Sequence, residues 1–118
     1  MLEQNMTIEC NGTVLATQVF IPEGMREEQK GAYGFKFNEE NAMMWMFTQE
    51  GLKLFDMMWM WHKIGYIALD KDKKVVKAGH MHPWISYRAV KCMYWIEVSP
   101  EKINGIKKGD VVSWKVNA

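Results

Sequence analysis

The sequence predicts a single all-β domain over residues 1–118, mainly antiparallel: a small β-sandwich or barrel-like domain of about eight short strands with one short helix near 22–30. Three observations predict it. Short β-prone stretches recur along the chain, each bounded by Gly, Asn, Asp or Pro. Asn11-Gly12 stands between two of them, and both residues accept the positive φ that a two-residue hairpin turn demands. Two apolar segments, Met43-Met44-Trp45-Met46-Phe47 and Met57-Met58-Trp59-Met60-Trp61, are apolar on both alternating faces, as strands covered on both sides must be.

Taken in order, strands are expected at 7–10 and 13–20, on either side of the Asn-Gly turn. Pro22 then opens a segment with Glu23 in its first turn, Lys30 at its end and Gly31 just beyond, the arrangement of a helix with favourable charges at both ends. Residues 31–41 read as a connection with a brief strand at 35–37. The two Met-Trp segments lie 14 positions apart with Gly51 and several charges between, which suits a pair of neighbouring strands. A strand at 64–69, a turn at 70–74 and a strand at 75–78 form a hairpin with a charged tip. A further strand follows at 93–98. Ser99-Pro100-Glu101 reads as an N-cap with Pro in the first helical position, a short helix or turn ended by Gly105. The last strand is expected at 111–116.

Composition excludes several function classes. With 48% hydrophobic and 25% charged residues, 118 residues make one core. Fifteen Lys and Arg against 14 Asp and Glu leave a formal charge of +1, so no long-range field favours nucleic acid or an anionic membrane. The first ten residues carry no Lys or Arg, unlike a secretory signal, and the longest apolar runs, 42–47 and 57–61, fall far short of the ~20 residues of a membrane-spanning helix. A cytoplasmic protein is expected, without nucleic-acid or membrane partners. Cys10 and Cys92 form neither a disulfide framework nor a paired zinc signature, and each sits in strand-like sequence as a small buried hydrophobe.

The segment 43–47, the segment 55–70 and the run Leu69-Asp70-Lys71-Asp72-Lys73-Lys74-Val75-Val76 follow a recognisable order. Pro83-Trp84 with Tyr87, the strand Tyr94-Trp95-Ile96-Glu97-Val98 and Gly105-Ile106-Lys107-Lys108-Gly109-Asp110 continue it. Over residues 14–116 the chain resembles the domain of unknown function 192, also called uncharacterised protein family 0127, in its archaeal form. The resemblance implies a small β-rich fold and no established activity. Within 55–70 the family's polar anchors are missing: its Asn falls on Trp59, its Thr on Met60, its Pro on Lys63 and its Asp on Gly65. No functional residue carries over there.

The nucleophile inventory is thin. Ser86, Ser99 and Ser113 lie in no Gly-x-Ser-x-Gly elbow, there is no His-Glu-x-x-His helix, and Gly31-Ala32-Tyr33-Gly34 lacks the spacing and ending of a phosphate loop. Glu97 shares a strand face with Met93 and Trp95. It is read first as the polar residue of a solvated face, paired with Arg88 or a nearby Lys, and alternatively as an acid or base of an enzyme. His80 and His82, at i and i+2, project to one side of an extended chain. They read as surface histidines beside a loop, or alternatively as two ligands of a soft-metal (copper or zinc) binding protein, completed by His62, a Cys or a Met.

Met 11 and Trp 6 are the unusual entries. Met fills irregular gaps and Trp buries large areas, so packing explains most of them. Yet so small an interior cannot hold all six indoles, and some of that apolar surface is expected to remain open. The chain is therefore expected to be a non-catalytic binding module. Its apolar aromatic site would lie near Trp59, Trp61, Trp84 and Tyr87, with His62 or Glu97 orienting a small apolar ligand or a protein partner, a homodimer included. This reading needs no cofactor.

Overall fold

The computed structural model describes residues 1–23, 35–57 and 60–117. Among them are seven strands, β1 (Leu2–Cys10), β2 (Thr13–Ile21), β3 (Asn41–Asp56), β4 (Ile64–Leu69), β5 (Val75–Met81), β6 (Tyr87–Val98) and β7 (Val112–Val116), and a 3-10 helix at Pro100–Ile103. They form one sheet in the order β5-β4-β6-β3-β2-β1-β7. Every pairing is antiparallel except β2 with β3, which run parallel because the chain crosses over between them through residues 22–40. The sheet's two outer strands are drawn together where a bridge joins Lys74 to Val111. There Val75 N–H donates to Asp110 O at 2.8 Å, Gly109 N–H to Val75 O at 2.8 Å and Val112 N–H to Lys73 O at 2.9 Å. The sheet is thus rolled, and the charged turn of the β4–β5 hairpin is the seam.

Local chemistry explains the turns. Asn11 (φ 54°) and Gly12 (φ 76°) make the two-residue turn that aligns Cys10 with Thr13, as the Asn-Gly pair predicts. At the second hairpin, Asp70 Oδ1 accepts from the N–H groups of Asp72 (2.8 Å) and Lys74 (3.0 Å), an Asp-centred turn.

Two apolar clusters result. Met6, Ile8, Leu15, Val19, Met44, Ile67, Ile96, Val98 and Val112 fill the inside of the rolled sheet. Met43, Trp45, Tyr66 and Trp95, on the opposite faces of β3, β4 and β6, form a second cluster with Met57, Met60, Val90 and Cys92. The apolar character of both faces of 43–45 is thereby explained: each face is covered.

The cover is the chain's own. β3 and β6 pair from Met43↔Glu97 to Met46↔Tyr94 and again from Gly51↔Cys92 to Asp56↔Tyr87. Between the two ladders β3 advances five positions while β6 advances two, an enlarged bulge that bends the ribbon. The second ladder is an arm folded back on the sheet. Phe55 pairs with Arg88, seven residues from Trp95, a distance of ~23 Å along a flat strand, yet the Phe55 and Trp95 rings are stacked at 3.7 Å.

The structure corrects local expectations. Residues 43–47 and 57–61 are not a pair of neighbouring strands: the first belongs to the 16-residue β3, and Met57, Met60 and Trp61 lie outside any strand, while Met58 and Trp59 are outside the described residues. The carbonyl of Met57 is taken by Met60 N–H (3.1 Å) and Trp84 N–H (2.8 Å) in a tight turn that ends the ladder. Residues 35–37 are not a strand, because Lys36 O accepts Asn41 Nδ2 (3.0 Å) and Asn38 Oδ1 accepts the N–H of Asn41 (2.9 Å), holding a side-chain-built turn. Ser99 stands at the N-cap of the 3-10 helix with Pro100 at its start, as the sequence predicts, but its hydroxyl donates to Asn38 O at 3.0 Å instead of to the helix. Of the helix expected near 22–30, Pro22 and Glu23 are not helical and the remainder lies outside the described residues.

Candidate functional site

The Met57 turn positions the aromatic residues singled out from the sequence. Met57 N–H donates to Ser86 O (3.1 Å), continuing the arm past Asp56↔Tyr87, and its carbonyl receives Trp84 N–H. The 82–86 loop is closed on itself: His82 N–H donates to Ser86 Oγ at 2.7 Å and Ile85 N–H to Pro83 O at 2.8 Å. In this tight loop Trp84 adopts φ 68°, a left-handed conformation that costs an L residue ~1–2 kcal/mol. Its half-buried indole meets Trp61 edge to face at 5.2 Å. Trp61 itself is 68% exposed, and beside the pair Ile85 is 81% and Tyr87 56% exposed.

The exposed surface continues along the arm. Residues directly opposite share a face, so Tyr87 lies with Asp56, Ala89 with Leu54 and Lys91 with Leu52, and all six are exposed. Leu52, Leu54 and Tyr87 therefore mark an apolar strip on the arm's outer face, shared with Asp56 and Lys91, and Trp61, Trp84 and Ile85 stand at the end of the arm where that strip finishes. The expectation that the indoles exceed the interior is met among the described residues. Trp45 and Trp95 are buried, Trp84 and Trp114 half-buried and Trp61 open; Trp59 lies outside the described residues.

His62 and Glu97 are not in this strip. His62 lines a separate crevice of about 470 Å³ with Phe35, Phe37, Met60, Lys63 and Ser99. Glu97 is buried, 6% exposed, on the face of β6 that the arm covers, with Met43 and Tyr66 opposite it on the neighbouring strands. The solvated pairing with Arg88 is therefore corrected. Arg88 donates to Tyr87 O (2.8 Å) and His80 O (3.2 Å), and Glu97 Oε2 accepts the Trp95 indole N–H at 2.8 Å. Among the described residues its Oε1 has no hydrogen-bond partner. Burial pushes the carboxyl up to about 7, opposed by the Trp95 hydrogen bond and assisted by the negative charge of Asp56. A role as acid or base would need a path for substrate to this buried carboxyl.

His80 is half-buried with its Nε2 2.9 Å from the Pro100 carbonyl, while His82 is exposed beyond the end of β5. Among the described residues no group of three or more His, Cys, Asp or Glu is arranged to hold a metal ion. Cys10 and Cys92 are free and buried. Burial raises both thiols, Cys92 to about 11, so neither is a thiolate nucleophile at neutral pH.

Phe55, Tyr66, Leu52 and Leu54 escape a reading of the sequence as a site. The alternation of Leu52 and Leu54 with Lys53 and Phe55 is a period-2 signal that extends β3 through Asp56 and separates an outward pair from the inward ring.

No family model matches the chain, and no curated protein matches it. Two solved structures are similar. A protein of unknown function from Novosphingobium aromaticivorans DSM 12444 superposes with a TM-score of 0.79 at 17% identity, over 92% of this chain and 83% of that one. A "putative transcription regulator" from Sinorhizobium meliloti 1021 superposes with a TM-score of 0.81 at 11% identity, over 96% of this chain and 94% of that one. At these identities the likeness is one of fold alone.

Proposed function

We propose that the protein is a non-catalytic binding module that engages a protein partner through the strip of Leu52, Leu54 and Tyr87 with Trp61, Trp84 and Ile85 at its end. The observation that carries this reading is the backbone of Trp84: a strained conformation is maintained by the Met57 and Ser86 hydrogen bonds, and its effect is to set the half-buried Trp84 indole edge to face against the exposed Trp61. Exposed aromatic anchors on a rigid support are what interface hot spots are made of. The strip lies on the outer face of a ribbon, whereas small-ligand sites are concave, so a partner chain suits it better than a small molecule. A second copy of the protein is one such partner.

A small apolar ligand is the second reading, and the crevice favours it. Its volume is within the range of small-molecule sites, its wall is formed by Phe35, Phe37 and Met60, and Lys36, His62 and Lys63 ring it with nitrogen groups. A cytoplasmic location is supported by the two free, buried thiols.

The test is a photo-crosslinking residue at position 85, introduced in the native host. A discrete protein adduct is expected, a dimer of the chain included, and it should disappear when Trp61→Ala and Tyr87→Ala are combined in a protein whose melting temperature is unchanged. An adduct pattern identical with and without those rings would sink the proposal. Chemical-shift changes confined to the crevice on adding an aromatic carboxylate would move the site to the second reading.

A further inference from the structure

We propose that the arm of residues 51–56 and 87–92 is a pH-operated latch, released from the sheet when the sealed carboxyl of Glu97 gains a negative charge. The inference stands apart from what the strip binds.

Three features of geometry carry it. First, Glu97 is enclosed with one oxygen satisfied by the Trp95 indole and the other by no described residue, an arrangement that a neutral carboxyl tolerates and a carboxylate does not. Second, the lid over that region is fastened by rings: Phe55 of the arm stacks on Trp95 at 3.7 Å, and Tyr66 of β4 stacks on Trp95's ring at 4.7 Å. The group that bonds Glu97 is thus the middle ring of the stack that holds the arm. Third, the arm is the weakest-supported part of the sheet. Residues 94–97 of β6 are paired on both sides, to β3 and to β4, whereas 87–92 pair with β3 alone. A two-stranded ribbon has little stability of its own, and here it joins the body through the enlarged bulge between Met46 and Gly51.

Among the described residues no opposite charge acts on an ionised Glu97. From β3 the opposing residue is Met43, and the acting charge is that of Asp56, of the same sign. From β4 the opposing residue is Tyr66. On β5, His80 is directed to the Pro100 carbonyl, and on β6 the Arg88 guanidinium sits 5.8 Å from the Tyr66 ring with its hydrogen bonds given to Tyr87 O and His80 O. Opening the arm is the cheapest way to bring water to the carboxylate, and protonation, favoured in the closed form up to about pH 7, restores the lid.

Amide hydrogen exchange measured from pH 5 to pH 8 and corrected for intrinsic rates tests this. The opening equilibrium of amides in 52–55 and 88–90 should rise, by up to tenfold per pH unit, and level off above about pH 7, while Ile67 and Ile96, which exchange only through global unfolding, stay the better protected at every pH. In Glu97→Gln the arm should stay protected at every pH. Arm protection that ignores pH in the wild type, or the same pH dependence in Glu97→Gln, overturns the latch. Should Glu97→Gln fail to fold, Phe55→Ala provides the reciprocal measurement. With its fastening ring gone, the Glu97 carboxyl followed by carbon NMR should titrate at least tenfold more readily, and an unshifted titration refutes the coupling.

Discussion

The indole N–H of Trp95 and Oε2 of Glu97, two positions apart on one face of β6, form a buried hydrogen bond of 2.8 Å. Among the described residues it is the one such bond that the enclosed carboxyl receives. A carboxyl so placed makes the stability of the whole domain depend on pH in an unusual direction. Its folded value, raised from 4.5 to about 7, means that below pH 4.5 folded and unfolded chains are both protonated and no penalty exists. Between 4.5 and about 7 the unfolded chain releases the proton first, so stability falls as pH rises; above about 7 the loss is complete at ~3 kcal/mol, from ~1.4 kcal/mol per unit. Urea denaturation at pH 5, 6, 7 and 8 should show this decline, and Glu97→Gln should flatten it. A wild-type protein that gains stability across that window would contradict the burial of the carboxyl.

Gly65 gives a prediction from close approach. A Cβ built there would stand 2.9 Å from Ile103 Cγ2 and 3.2 Å from the Ser99 carbonyl oxygen, so β4 and the 3-10 helix pack with no room for a side chain. Gly65→Ala should destabilise the protein by ~1–3 kcal/mol, and Gly65→Asp, with the residue that the family resemblance puts at this position, by more, since a carboxylate would be buried as well. Calorimetric melting temperatures should fall in that order. If Gly65→Asp melts like the wild type, the helix does not lie against β4 as described.

The Asn11-Gly12 turn supplies the contrast. Nothing lies within 4 Å of a Cβ at Gly12, so the cost of Gly12→Ala is that of φ 76° alone, about 1 kcal/mol. Chemical denaturation should place this variant between the wild type and Gly65→Ala at equal pH. A loss as large as that at Gly65 would mean that the turn has a different conformation.

These cases show which parts of the molecule a sequence discloses. Asn11-Gly12 and the Asp70 turn are legible because their chemistry is local: the residues that need the special conformation are the ones that adopt it. The apolar doubling of 43–45 is legible as a requirement for cover on both faces, but what provides the cover is not, because the arm's return depends on the bulge between Met46 and Gly51 and on a ring contact with Trp95 far along β6. For the same reason Glu97 reads as an outward charge in an alternating strand and is found enclosed. Tertiary placement of Phe55 decides its environment, and nothing within a few residues of Glu97 announces that. Trp61 and Trp84 are legible as surplus aromatics, yet their meeting depends on the Met57 turn.

Trp84 offers a test of whether strain is being spent on presentation. Its φ of 68° penalises any residue with a Cβ, while Gly adopts it freely. Trp84→Ala and Trp84→Gly both remove the indole and its contact with Trp61, so they should weaken partner binding equally. Their stabilities should differ: Trp84→Gly is relieved of ~1–2 kcal/mol of backbone strain and surrenders ~0.5–1 kcal/mol to the greater freedom of the unfolded chain, leaving it about 0.5–1 kcal/mol more stable than Trp84→Ala. Paired urea titrations measure that difference directly. Should Trp84→Ala prove the more stable of the two, the loop is unstrained, and the argument that this indole is maintained at a structural cost fails with it.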